Sequence, residues 1–119
     1  MSGKSATVLP LRDYRARRQT LYFTRSELNQ LLGLYSRNVA HGVWRDYAID
    51  HRDGLALFSV FRHTQEHPAY TIAKAAASTA GTADFIVLSG RQRLRVGRTL
   101  ADALEYFRTN LSLVPAVSV

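Results

Sequence analysis

The sequence predicts an α+β fold, in which a mainly antiparallel meander sheet packs against two amphipathic helices. Two segments carry apolar residues at helical spacing, each behind a residue that can cap a helix. Five strand-like runs with short connections lie between these segments, and one more precedes the first. The helices must bury their apolar stripes on the sheet. The predicted order is β-α-β-β-β-β-β-α within one domain, since 119 residues suit a single domain.

The first part of the chain is predicted to be a disordered basic tail over residues 1–18, followed by a single domain over 19–114. "TLYF" (20–23) is predicted to be a short strand. "TRSE" fits a capping box, which predicts a helix over roughly 25–41 that ends before Gly42. Leu34 lies off the apolar stripe of this helix. The predicted stripe consists of Leu28, Leu31, Leu32, Tyr35 and Val39.

"WRDYAIDH" and "LALFSVFR" are predicted to form a hairpin around Asp53-Gly54. A two-residue turn there opposes residues 46 and 61, 49 and 58, and the pairs between them. One face of the hairpin is expected to contact the helices: Tyr47, Ile49, Phe58 and Val60. The other face is half apolar, so a helix or a second subunit is expected to cover it. That face consists of Asp46, Ala48, Asp50, Leu57, Ser59 and Phe61.

The same register sets Arg45 opposite Arg62. Like charges directly across an antiparallel pair are destabilising by about 0.2–1 kcal/mol, so an anion between them is expected. The internal candidates are Glu66, Asp46 and Asp84. The functional candidate is a bound phosphate or carboxylate. An internal partner is favoured, because structural ion pairs are commoner than ligand sites.

Three further strands and a second helix complete the prediction. The strands are "YTIAK", "DFIVLS" and "RQRLRV", and the loops between them are marked by Pro68, by an Ala-rich stretch and by Gly90. Thr99 is predicted to cap the second helix. The apolar stripe of this helix is predicted to be Leu100, Ala103, Leu104, Phe107 and Leu111. Residues 115–119 are predicted to be an apolar tail.

The net charge of +7 lies in two basic patches. Residues 1–18 hold five basic residues and one acid, and residues 91–98 hold four arginines and no acid. Arg91, Arg93 and Arg95 alternate with other residues, which on a regular strand places them in one row on a solvent face. Such a row suits phosphate groups, although strand-edge cations also serve to block aggregation. No aromatic residues alternate with them to stack on bases.

Enzymatic activity is not indicated by any motif. No G-x-S-x-G, phosphate loop, dinucleotide fingerprint or Cys is present. "HTQEH" fits the H-x-x-E-H pattern of zinc proteases, but it falls between strands and Pro68 follows, so no metal is expected. Asp46 and Asp50 lie about 13 Å apart along a strand, too far for a glycosidase pair. We expect no cofactor. The lack of Cys, of an apolar leader and of a long apolar run favours a cytoplasmic protein without a membrane span.

The segments "WRDYAID", "FSVFR" and "EHPAY" together resemble a small bacterial family classed as domain of unknown function 2794. The resemblance covers roughly residues 20–113. It implies no activity, because the family has no known function. The family pattern has Arg at His63, a shorter loop near 75–81 and Tyr near Phe85. The resemblance also implies a signature cluster, either a polar network or a binding site: Trp44, Arg45, Asp46, Tyr47, Asp50, Arg62, Glu66 and His67.

Three functions are compatible with these patterns. The leading hypothesis is a non-enzymatic binding or regulatory protein for an anionic partner, either nucleic acid or an acidic protein. Its binding residues would be Arg91, Arg93, Arg95 and Arg98, with Arg15, Arg17 and Arg18 of the tail. The second is a protein-interaction module or homodimer that uses the half-apolar hairpin face. The third is a small-anion site at Arg45 and Arg62.

Overall fold

The computed structural model describes residues 21–63, 67–77 and 81–110. Two helices flank a five-stranded antiparallel sheet in these residues, and the strands neighbour one another in chain order. The elements are α1 (Arg25–Ala40), β1 (Asp46–Arg52), β2 (Leu55–Phe61), β3 (Tyr70–Ala76), β4 (Ala83–Ser89), β5 (Gln92–Gly97) and α2 (Leu100–Asn110). The predicted α+β meander is confirmed. The predicted tails, 1–18 and 115–119, lie outside the described residues.

Helix α1 begins at the predicted capping box. The Thr24 hydroxyl accepts a hydrogen bond from the Glu27 amide at 3.1 Å, and the Glu27 carboxylate accepts one from the Thr24 amide at 2.8 Å. Beyond its last residue the chain turns at Gly42, whose φ of 74° favours glycine. Helix α2 is capped as predicted, because the Thr99 hydroxyl accepts from the Asp102 amide at 3.0 Å.

The predicted stripe of α1 is confirmed at Leu31 but wrong at Val39, and it omitted two buried residues. Leu31, Leu34 and Asn38 are the buried residues of this helix, whereas Val39 is exposed. Leu28, Leu32 and Tyr35 are only partly buried against the core. The pattern was misleading because Asn38 is polar. Its side-chain amide donates to the Leu34 carbonyl at 2.9 Å, which satisfies the group inside the core.

The predicted strand at 20–23 is not formed by residues 21–23. Phe23 is instead buried in the core, and the carbonyl of Tyr22 accepts a hydrogen bond from the Lys74 ammonium at 2.8 Å. A side chain of β3 therefore holds this segment where a strand ladder was expected.

The β1–β2 hairpin has the predicted register. Asp46 pairs with Phe61 and Ile49 with Phe58. Asp53 and Gly54 have φ values of 54° and 78°, as the two central residues of a type I′ turn require.

The core lies between the two helices and one face of the sheet, which we call the covered face. Phe58, Ile72 and Val87 oppose one another across β2, β3 and β4, and each is fully buried. Leu31 of α1 and Phe107 of α2 belong to the same buried cluster. Both helices therefore lie on the same side of the sheet. Among the described residues, neither helix combines the length and apolarity that crossing a bilayer demands.

Candidate interaction surface

The opposite side of the sheet, which we call the open face, is built from side chains that point away from both helices. Strand register fixes its two central rows. One row is Ala48, Ser59, Thr71, Leu88 and Arg93, and the next is Asp50, Leu57, Ala73, Ile86 and Val96. The sequence predicted that a helix or a second subunit covers this face. Both described helices pack on the covered face instead, so neither of them covers the open face.

The centre of the open face is small and partly polar. The Ser59 and Thr71 hydroxyls are 3.2 Å apart and hydrogen-bonded across β2 and β3. Ala73 lies beside them. Half-buried Leu57 and Ile86 flank this floor, and Val96 at the edge is 47% exposed. The surface therefore combines apolar side chains with a hydrogen-bonded pair of hydroxyls.

Charged side chains lie at the two outer strands of the open face. On β1, Asp46 and Asp50 are exposed. The Asp50 carboxylate accepts hydrogen bonds from the Arg52 guanidinium at 2.7 and 3.2 Å. This pairing, with a further bond from the His51 amide, holds the pKa of Asp50 below its ordinary value. On β5, Arg93 is exposed and forms no ion pair with any described residue. Arg52 lies on the same face of β1 and offsets Asp50, so this edge carries one net negative charge, whereas the β5 edge is basic.

The predicted row of three arginines is wrong, because a β-bulge interrupts β5. Leu88 opposes Arg93 and Val87 opposes Arg95, so Leu94 is an extra residue between them. Arg95 consequently lies on the covered side. Its guanidinium donates to the Asp102 carbonyl and to the Asp102 carboxylate, both at 2.8 Å. Arg95 joins β5 to α2, and Arg93 alone of this pair reaches the open face.

The other predicted anion-binding residues are dispersed. Arg91 and Arg98 are exposed at the two ends of β5. Within the described residues neither forms an ion pair. Arg15, Arg17 and Arg18 lie outside the described residues.

The implied signature cluster is divided between the two sides of the sheet. Trp44 is buried in the core, with its ring centroid 5.5 Å from that of Phe107. Its indole nitrogen has no hydrogen-bond partner in the described residues. Tyr47 lies on the covered side, stacked on Phe58 at 5.4 Å. Asp46 and Asp50 belong to the open face, so these residues do not form one site.

Arg45 and Arg62 lie at one end of the hairpin, and both are exposed. The Arg45 amide donates to the Phe61 carbonyl at 2.7 Å, which extends the ladder to this position. The Arg62 guanidinium lies 5.9 Å from the centroid of the Tyr70 ring, a cation–π contact that the sequence did not suggest. Asp84 is excluded as the internal partner because it lies at the other end of the sheet.

Asp46 and Glu66 are the other two acidic residues that were candidates to neutralise Arg45 and Arg62. No ion pair between Asp46 and either arginine is formed. Glu66 lies outside the described residues, as does the rest of "HTQEH" between His63 and exposed His67. A small anion bound by Arg45 and Arg62 stays a prediction.

Sequence reasoning missed Lys74, the one buried basic side chain of the described residues. Its ammonium lies 2.8 Å from the Glu27 carboxylate and 5.9 Å from the centroid of Phe85. The only sequence signal was a lysine inside the apolar run "YTIAKAA". The pair connects the start of α1 to the middle of the sheet on the covered face.

Comparison with known proteins identifies a family. No curated protein and no solved structure has significant similarity to the chain. The family model described as "Protein of unknown function (DUF2794)" matches residues 21–104, from the segment before α1 into α2. That match covers more than half of the chain, including the entire sheet. The chain therefore belongs to the DUF2794 family.

Proposed function

We propose that this chain is a cytoplasmic, non-enzymatic protein-interaction module and that its working surface is the open face of the sheet. One observation carries the proposal: both helices lie on one side, while the strands carry apolar side chains on both sides. A strand that is apolar on both faces usually has protein against both. Contiguous exposed apolar surface rimmed by polar residues is typical of interaction sites.

The dimensions of the open face suit a protein partner. Five strands at about 4.8 Å spacing, each of about seven residues at about 3.3 Å, give a surface of roughly 550 Å². That is of the same order as the ~800 Å² that each protein contributes to a standard interface. A partner that presents a sheet or a flat helical surface would cover most of it.

The composition of the open face favours reversible binding. The hydroxyls of Ser59 and Thr71 share one hydrogen bond, which lowers the cost of excluding water from them. Leu57, Ile86 and Val96 then supply the apolar contact. The surface is therefore compatible both with exposure to water and with burial by a partner.

Site-specific photocrosslinking in the native cell tests the proposal. A photoreactive amino acid replaces Leu57 or Leu88 on the open face, and Val39 or Ile49 in matched controls. The control positions are each 41% exposed and lie on the helix side. We expect discrete protein adducts from the open-face positions only. Adducts from the controls alone, or from neither pair of positions, would contradict the proposal.

We propose, as a second function, binding of an anionic partner by the arginines near β5, with nucleic acid as the first candidate. The supporting observation is that Arg91, Arg93 and Arg98 are exposed without ion pairs among the described residues. Phosphate contacts made by such side chains are weakened by salt, with a slope of about −0.9 per contact on duplex DNA.

A salt series of gel shifts tests this second function. Replacing Arg91, Arg93 and Arg98 together by Ala is expected to weaken binding and lower the salt slope. Arg95→Ala is the matched control, because Asp102 already holds that guanidinium. Equal loss of binding in the control, or no binding by the native chain at low salt, would exclude this function.

A further inference from the structure

We infer that the partner of the open face is a second copy of this chain, packed face to face about a two-fold axis that runs parallel to the strands. The inference rests on the proposed function, since it names the occupant of the same surface. Two features of the open face support it: the opposite charges of its outer strands, and the position of those charges along the strands.

The strand order makes the charge pattern self-complementary. Acidic Asp46 lies on β1 at one edge of the sheet, and Arg93 lies on β5 at the other. A two-fold axis parallel to the strands sets β1 of one copy over β5 of the second copy. A two-fold axis across the strands would set β5 over β5 and bring the arginines at that edge together. Charge therefore selects the first arrangement.

The position along the strands agrees with this axis, because a two-fold axis parallel to the strands keeps each end of the sheet over the same end. Ala48 and Arg93 are the outer members of one cross-strand row. Asp46 lies two residues from Ala48, or about 6.6 Å along the strand. Arg91 lies at the same end of β5. Asp46 of each copy therefore faces Arg93 and Arg91 of the other, within the reach of a long guanidinium side chain.

The apolar part of the open face matches itself in the same arrangement. With the axis above β3, strand β2 of one copy lies over β4 of the other. Leu57 and Ile86 belong to one cross-strand row, so Leu57 of each copy comes over Ile86 of the other. This contact occurs twice, on either side of Ala73. At the other end of the sheet, Arg52 of each copy comes over Arg98 of the other, and the Asp50 carboxylate that pairs with Arg52 offsets this repulsion.

The area is sufficient for a dimer. Two open faces of roughly 550 Å² each bury about 1,100 Å², just above the ~1,000 Å² that separates specific interfaces from incidental contacts. An interface of this size is expected to dissociate on dilution.

Charge-reversal complementation tests the inference, using purified full-length chain in sedimentation velocity over a concentration series. In an Asp46→Arg homodimer, arginine faces arginine twice. In an Arg93→Glu homodimer, carboxylate faces carboxylate twice. Each variant alone is expected to dimerise about tenfold more weakly than the native chain. In an equimolar mixture, both contacts are again opposite in charge, so heterodimers should form with near-native affinity.

A folding measurement, a replacement variant and a control variant complete the test. Thermal unfolding establishes that both variants fold, as expected for exposed positions. If Arg93→Glu does not fold, Arg91→Glu takes its place in the mixture. Ile49→Asp, a change on the covered side at the sheet edge, is the control that should leave the dimer intact.

The outcomes separate this inference from the proposed function. A native chain that is monomeric at every concentration, or a mixture that associates no better than its components, would overturn the second-copy inference. Crosslinks from the open face to a different protein would then still support the proposed function. A dimer that tolerates both reversals but dissociates with Ile49→Asp would place the dimer interface elsewhere and overturn the second-copy inference.

Discussion

The two faces of the sheet share their strands but differ in how completely they are buried. On the covered face, Phe58, Val60, Ile72 and Val87 are each fully buried beneath the helices. On the open face, Leu57 of β2 and Ile86 of β4 are half-buried, whereas the small Ala73 and Ala75 of the central strand are buried. Adjacent positions of β2 and of β4 therefore have different surroundings.

Because of this difference, we expect residues of the covered face to determine folding stability and residues of the open face to determine association. Side chains on the covered face hold the helices to the sheet, so changes there should unfold the chain. Side chains on the open face lie on the side of the sheet away from both described helices, so changes there should alter association and leave folding nearly intact. The predictions below compare neighbouring residues on the two faces, from the largest expected effect to the smallest.

Two phenylalanines of β2 provide the sharpest comparison. Phe58 is fully buried, so Phe58→Ala should lower the free energy of unfolding by about 3–5 kcal/mol through lost contacts and a cavity. Phe61 is half-buried on the open face, and Phe61→Ala should cost less than ~1.5 kcal/mol. Urea unfolding at a concentration where the chain is monomeric measures both. Equal losses would show that the open face is also part of the core.

Lys74 tests whether the covered face depends on a buried charge. Its side chain is 10% exposed and that of Glu27 is 17% exposed. Lys74→Met leaves the carboxylate unpaired, and we expect a loss of about 3 kcal/mol. Thr24→Ala, which removes only the adjacent helix cap, is the control and should cost about 1 kcal/mol. A Lys74→Met chain as stable as the native one would show that the ion pair contributes nothing net.

Gly97 tests how closely β5 approaches α2 on the covered face. A Cβ atom at this position would lie 2.7 Å from the Ala103 amide nitrogen and 3.0 Å from the Thr99 carbonyl oxygen. Because these are backbone atoms, Gly97→Ala should cost about 1–3 kcal/mol. Gly33→Ala is the control. Its Cβ would meet only a flexible Arg37 side chain at 3.6 Å, and alanine favours the helix. A neutral Gly97→Ala would contradict this packing.

Substitution of the two arginines on either side of the bulge should change the stability of the chain least. Arg95→Ala breaks a partly exposed pair with Asp102 and should lower stability by about 0.5 kcal/mol. Arg93→Ala should leave the stability of the monomer unchanged and weaken association instead. Thermal unfolding and sedimentation of both variants distinguish the two roles. Reversed results would mean that the bulge does not place Arg95 against α2.

The hairpin could be predicted from sequence because its determinant is local. The Asp53-Gly54 turn requires two residues at positive φ, and that requirement sets the pairing of every residue on either side. The capping box at Thr24 and Glu27 is local in the same way. The family resemblance, carried by "WRDYAID" and its companion segments, was also visible in the sequence.

The remaining features depend on contacts that the local sequence pattern does not encode. The bulge at Leu94 has no residue signature, so alternation wrongly joined Arg93 and Arg95 in one row. Asn38 can be buried because its side-chain amide donates a hydrogen bond to the Leu34 carbonyl of the same helix. A polar residue at a buried position made the apolar stripe of α1 hard to recognise. Lys74 is buried because of a glutamate 47 positions away. The signature cluster divided because alternate strand residues point to opposite faces.

The central claim is that the open face becomes buried by protein in solution. Methyl NMR with a soluble paramagnetic probe tests it most directly, using Val96 of the open face and Ile49 of the covered side, which are 47% and 41% exposed. We predict that raising the protein concentration protects the methyls of Val96 and of Ile86 from the probe while those of Ile49 stay attenuated. Equal attenuation of Val96 and Ile49 at every concentration would contradict the account.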